Sequence, residues 1–150
     1  MTNTVRLPRW FLLPISLWMA LQLGRLIAIP LIQGVLAQHE SPVWFFPALI
    51  DVVVAAATPV MIFLIWRTRT PQIWLACWTY FVVSIFDHAS AITATILAGP
   101  PLVFVAMFHM PPDAHMQGIL QGPGGQAVID IVFMVLLANH KVRASFGLDS

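Results

Sequence analysis

Arg25, Asp51, Asp87 and Asp130 are ionisable residues set inside long apolar runs, and the chemistry of this chain has to begin with them. On insertion scales an aspartate or arginine at the centre of a membrane helix costs roughly 2.5–3.5 kcal/mol. Four held apart would cost on the order of 10 kcal/mol, as much as the whole stability of a small domain. They are therefore expected to face one another or a wet cavity. Arg25 cannot release its proton, so it holds one carboxylate ionised, two at most. A further carboxylate in the same pocket is left for a proton or a cation. His88 is the side chain suited to exchange a proton with it. Asp87 and His88 are neighbours in sequence and diverge by about 100° on a helix. Asp87 is thus expected to meet Arg25, and His88 to turn toward a different helix.

Spacing supports a shared site. Tyr80, Ser84, Asp87, His88, Ala91 and Thr95 follow steps of three and four, a polar and small stripe along one helix face. Asp51, Ala55 and Thr58 share a face, as do Trp18, Gln22 and Arg25, and Gln126 lies one turn from Asp130. The predicted ligand-binding or proton-transfer residues are Arg25, Asp51, Tyr80, Asp87, His88 and Asp130. An alternative without function is a buried tie that sets helix register. A tie needs only one acid per base, and three acids face one base here.

A second cluster lies in Met107-Phe108-His109-Met110-Pro111-Pro112-Asp113-Ala114-His115-Met116. Thioether and imidazole ligands suit copper, with His109, Asp113 and His115 as the weak metal candidates. No cofactor is required by the sequence. His39 and Glu40, on the other outer turn, could join either arrangement. Two-histidine haem ligation fits poorly, because His88 alone among the histidines is deep. Cys77 is expected to be a small packing residue, far from Asp87.

The elements that carry these residues follow from hydropathy. Crossing a bilayer takes about 20 apolar residues, and four segments qualify, at about 10–36, 43–66, 73–98 and 123–140. The fold class is therefore an all-α integral membrane protein, a single four-transmembrane-helix bundle over residues 1–150. A short interfacial or re-entrant piece, Leu102–Met110, is expected in the outer loop 99–122, bracketed by Pro100-Pro101 and Pro111-Pro112. Trp10, Trp44, Trp66 and Trp74 fall at predicted span ends, where amphipathic rings favour the headgroup layer. Pro14, Pro30 and Pro59 are expected to kink their spans.

Arg6 and Arg9 precede span one, Arg67 and Arg69 join spans two and three, and Lys141 and Arg143 follow span four. The positive-inside rule then puts both termini in the cytoplasm. The run after Arg9 is too long for a signal peptide and contains Arg25, so it reads as an uncleaved span. With this topology all four buried charges fall at mid-depth or in the outer half, and the simplest site opens to the non-cytoplasmic side.

Composition agrees. The chain has 150 residues, 59% hydrophobic and only 9% charged, with a mean hydropathy of +0.87 and a formal net charge of +1. A soluble domain carries about 25% charged residues, so a cytosolic globule is excluded, as is nucleic-acid binding, which needs a basic face. One cysteine excludes a disulfide framework.

In its four short spans with both ends inside, the chain resembles the EXPERA-type sterol-isomerase and sterol-binding proteins. Pro42, Trp44, Phe45, Asp51 and Arg69-Thr70-Pro71 carry the resemblance. The acid that those proteins place in span one is Arg25 here, and no residue role is carried over. The resemblance implies a lipophilic ligand.

Three functions follow as expectations. The pocket binds or translocates a small cationic, protonatable or lipophilic ligand. Alternatively, it is a membrane-embedded acid–base active site of isomerase or cyclase type, or the chain is a non-catalytic subunit of a larger membrane complex. The partners expected are the bilayer of a bacterial-type inner membrane or its equivalent, a small-molecule or ion ligand, and further copies of the chain or a larger assembly.

Overall fold

In a computed structural model, described over residues 7–111 and 115–148, the chain is helical and has no strand among those residues. Four helical stretches are long and apolar enough to cross a membrane: Arg9–Leu36, Pro42–Arg67, Pro71–Ala98 and Met116–Ala138. This is a polytopic helical membrane protein. Spans one and two share the broadest interface, span three packs on span two, and span four leans on span three.

Span one is composite. Helices α1 (Leu12–Leu21) and α2 (Ala28–Leu36) are joined by a 3₁₀ stretch over Gln22–Ile27. Pro30 has no N–H to offer the Leu26 carbonyl and its ring crowds that carbonyl, which accounts for the tightened turn before it. The distortion falls on Gln22 and Arg25, both buried. Span two carries helix α3 (Phe45–Arg67) and runs through Pro59 without interruption.

Span three is helix α4 (Pro71–Ala98). Thr70 caps it, its hydroxyl accepting from the Ile73 N–H at 3.4 Å, with Pro71 in the first turn, where a missing N–H costs nothing. Gly99 ends it at φ 78°, a left-handed value that glycine takes without a Cβ clash.

The connection between spans three and four is largely helical over its described residues. Helix α5 (Leu102–Phe108) is followed by α6 (His115–Ile119), and a π-type stretch over Leu120–Gly124 leads into α7 (Gly125–Ala138). The apolar stretch Met116–Ala138 is thus made of two helices with a break between them. Pro123 cannot donate, and Gly122 before it has non-helical backbone angles (φ −99°, ψ −115°), so the Gly122-Pro123-Gly124-Gly125 motif breaks the helix where the loop was expected to end. A short α8 (His140–Ser145) closes the chain, its first turn capped by Asn139.

One end of the bundle holds Arg9, Arg67, Arg69, Lys141 and Arg143; the other holds α5, here called the roof. The main core lies toward the basic end, around Leu12, Met19, Ile65, Phe81, Leu137 and Phe146. A smaller cluster of Ala28, Leu31, Trp44, Ala48 and Ala94 lies under the roof. Trp44 is 4% exposed and donates to the Gly99 carbonyl at 3.2 Å, so it is a buried tie and not the headgroup-facing ring expected of a span end.

Candidate ligand site in the membrane interior

The 3₁₀ stretch of span one delivers Arg25 into the bundle centre, 6% exposed. A guanidinium has five N–H donors, and four oxygen acceptors meet it here. Nε donates to Gln22 Oε1 at 2.5 Å, one turn back on the same span. Nη1 donates to Asp51 Oδ1 of span two at 3.0 Å and to Asp87 Oδ2 of span three at 2.5 Å. Nη2 reaches Ser84 Oγ at 2.5 Å and His88 Nε2 at 2.7 Å. One cation therefore joins three helices.

Span four enters through Asp130, which is fully buried. Its Oδ2 accepts from Ser84 Oγ at 2.5 Å and lies 3.2 Å from His88 Nε2 and 4.0 Å from Arg25 Nη2. Its Oδ1 accepts the indole N–H of Trp18 at 2.6 Å. The expectation that Asp87 and His88 serve different helices holds only in part. His88 does reach span four, yet both residues also meet Arg25, because the width of a guanidinium covers the angle between adjacent helix positions.

The charges are surplus in acid: three carboxylates surround one arginine within the bundle. Asp51 is the open one, its side chain 20% exposed against 1% for Asp87. Gln22 Nε2 and Asp87 Oδ1 are buried and have no hydrogen-bond partner among the described residues.

Above the cluster lies a cavity of about 540 Å³, inside the range of small-molecule sites. Its charged end is Arg25, Asp51, Asp87 and His88. Its walls are largely apolar, with Gln22, Thr95, Gln121 and Gln126 among them, and its roof comes from Pro100, Pro101, Phe104 and Met107. Glu40 fastens that roof, its carboxylate accepting the Val103 N–H at 3.0 Å. Between spans one and four the wall is thin: a Cβ built on Gly24 meets no atom within 4 Å, and Leu21, which lines the same cavity, is 69% exposed.

Below the cluster the bundle is filled by packed side chains. Trp18 stacks on Phe133 at 6.3 Å and Phe133 on Phe81 at 5.9 Å, an aromatic layer that crosses spans one, four and three. Phe81 is fully buried, and Met19 and Leu137 fill the next layer. Tyr80 belongs to this floor. Its hydroxyl pairs with Thr58 Oγ1 at 2.8 Å, and it does not line the cavity. Of the predicted site residues, Arg25, Asp51, Asp87 and His88 line the space, Asp130 stands behind His88, and Tyr80 lies beneath. Sequence reasoning assigned no role to Ser84, the hydroxyl between Arg25 and Asp130, although it stands on the stripe.

The loop candidates do not form a described centre. His109 is exposed at φ 53°, with Nδ1 3.2 Å from the Ala106 carbonyl. Asp113 and the His115 side chain lie outside the described residues. Among the described residues no group of three histidine, cysteine or acidic side chains is arranged to hold a metal ion. Cys77 is buried in the core.

No protein-family model, curated protein or solved structure matches the chain, so its resemblance over Pro42–Pro71 has no counterpart in these comparisons.

Proposed function

We propose that this protein binds a lipophilic ligand carrying a protonated or hydrogen-bond-donating head, and holds it without conducting it across the membrane. The observation that carries this reading is the packed floor: a cavity with largely apolar walls ends on Arg25, Asp51, Asp87 and His88, and the Trp18–Phe133–Phe81 layer lies beneath them. A translocation path would need that layer open.

The head chemistry follows from the surplus of acid. A donor seated at Asp51 meets the carboxylate that Arg25 satisfies on one oxygen and that remains partly open. A cationic head also offsets the excess of three carboxylates over one guanidinium, which a low-dielectric site otherwise resolves by protonation. The thin wall at Gly24 suits a ligand that arrives from the bilayer. We further place both termini in the cytoplasm of a bacterial-type inner membrane or its equivalent, since Arg9, Arg67, Arg69, Lys141 and Arg143 gather at one end. The roof then faces the outer side.

A second reading, acid–base catalysis on the bound ligand, is favoured by one contact: His88 lines the cavity and stands 3.2 Å from Asp130. A carboxylate beside an imidazole nitrogen can exchange a proton with it.

The test is extraction and mass spectrometry of small molecules retained by protein purified from its native membrane. A lipophilic amine or alcohol enriched with the wild type and lost from Asp51→Asn supports the proposal. An identical extract from both overturns it. Chemical conversion of the retained molecule during incubation would favour the catalytic reading.

A further inference from the structure

His88 meets the charged cluster through one ring nitrogen, and the atoms around that nitrogen decide where the ring carries its hydrogen. Nε2 lies 2.7 Å from Arg25 Nη2 and 3.2 Å from Asp130 Oδ2. A guanidinium donates and never accepts. At 2.7 Å the contact is a hydrogen bond only if Nε2 is bare and accepts. A hydrogen on Nε2 would instead point at a buried cation. Asp130 is the farther neighbour and takes its donors elsewhere, Oδ2 from Ser84 Oγ and Oδ1 from the Trp18 indole. The hydrogen-bond network thus selects the neutral tautomer with its hydrogen on Nδ1. Nδ1 has no hydrogen-bond partner among the described residues, nor is it sealed in the packing as the unpaired Asp87 Oδ1 is. The ring lines the cavity, so its Nδ1–H opens on that space.

The charged end of the cavity therefore offers a ligand two different groups. Asp51 offers a carboxylate oxygen, because Arg25 takes only Oδ1 and the side chain is 20% exposed. His88 offers an N–H. One guanidinium holds both, Asp51 through Nη1 and His88 through Nη2, which sets an acceptor beside a donor. An ammonium head satisfies Asp51 but has no lone pair for His88. A site built to hydrogen-bond one group discriminates against analogues that leave its own polar atoms unpaired. A hydroxyl donates to Asp51 and accepts from His88. We infer that the head of the ligand is a hydroxyl group and that His88 selects it, which makes the ligand class an apolar alcohol. This rests on the ligand reading given above and adds the head group and the residue that reads it.

The experiment has two arms, both on the full-length protein in lipid nanodiscs. In the first, His39, His109, His115 and His140 are replaced by glutamine, leaving His88 as the single histidine. Histidine labelled with ¹⁵N at Nδ1 then reports the tautomer by nuclear magnetic resonance. A hydrogen on Nδ1 of a neutral ring is expected at neutral pH; a hydrogen on Nε2, shared with Asp130, would overturn the inference. In the second arm, binding of bromododecanol and of bromododecylamine is read from quenching of Trp18 and Trp44, which line the cavity. His88→Gln gives Arg25 an amide oxygen in place of Nε2 and removes the Nδ1 donor. It is expected to weaken the alcohol about tenfold, the worth of one hydrogen bond, and the amine less than about twofold. His88→Phe is a second variant with the same expected split, and the tautomer arm needs no change at position 88. Equal loss of both probes, or loss of neither, would overturn His88 as the selecting residue, while amine binding that still depends on Asp51 would leave the ligand reading standing. Saturable binding of neither probe to the wild type would overturn both.

Discussion

Asp51 and Asp87, on different helices, accept from the same nitrogen, Nη1 of Arg25, at 3.0 and 2.5 Å. Neither acid can be relieved of that nitrogen without leaving a carboxylate unpaired in a low-dielectric interior. Removing one partner of a buried ion pair costs about 3–5 kcal/mol. Arg25→Gln is accordingly expected to destabilise the protein by about 3–5 kcal/mol, read from thermal or denaturant unfolding in detergent. Asp51→Asn should cost less than Asp87→Asn, because Asp51 is the partly exposed member.

Trp18 fastens span four to span one by its bond to Asp130 and its stack on Phe133. Trp18→Phe keeps a ring for the stack and deletes the donor. A carboxylate deprived of one buried donor is expected to cost about 1–3 kcal/mol. Loss of the same size in Ser84→Ala, by the same unfolding assay, would show that both donors to Asp130 matter.

Tyr80 distinguishes a closed floor from a path. Its hydroxyl pairs with Thr58, which also bonds to the Val54 carbonyl. Tyr80→Phe is expected to cost about 1 kcal/mol of stability and to leave ligand affinity unchanged. A large loss of affinity would mean that the cavity extends past the aromatic layer.

Gly24 offers a steric test. A side chain there enters open space, since no atom lies within 4 Å of an added Cβ. Gly24→Leu is expected to leave the unfolding temperature nearly unchanged while weakening ligand binding. Unaltered binding in a folded Gly24→Leu protein would show that this wall is not used.

The sequence made the four spans and the convergence of Arg25, Asp51, Asp87, His88 and Asp130 legible, because apolar length and the cost of stranded charge are one-dimensional facts. What it hid were distances and small deviations. Gly122-Pro123-Gly124-Gly125 reads as a loop end, and Gly122 is non-helical as that requires, yet a separate short helix from His115 precedes the break. Trp44 looks like an interface anchor, yet Gly99 offers it a buried carbonyl that only the fold brings near. Tyr80 lies on the right stripe at the wrong depth, and periodicity gives face without giving height. Ser84 was visible on that stripe, but a serine acquires a role only when its two partners are known to be within reach.

Tryptophan quenching tests the central claim most directly, because Trp18 and Trp44 both line the cavity. Bromododecylamine, whose bromine quenches indole fluorescence, is titrated into the protein in lipid nanodiscs. Bromododecanoic acid serves as the oppositely charged probe. Saturable quenching by the amine, weak quenching by the acid, and an affinity about tenfold lower in Asp51→Asn are the predicted results. Equal quenching by both probes, unchanged in Asp51→Asn, would contradict a ligand site built on these buried charges.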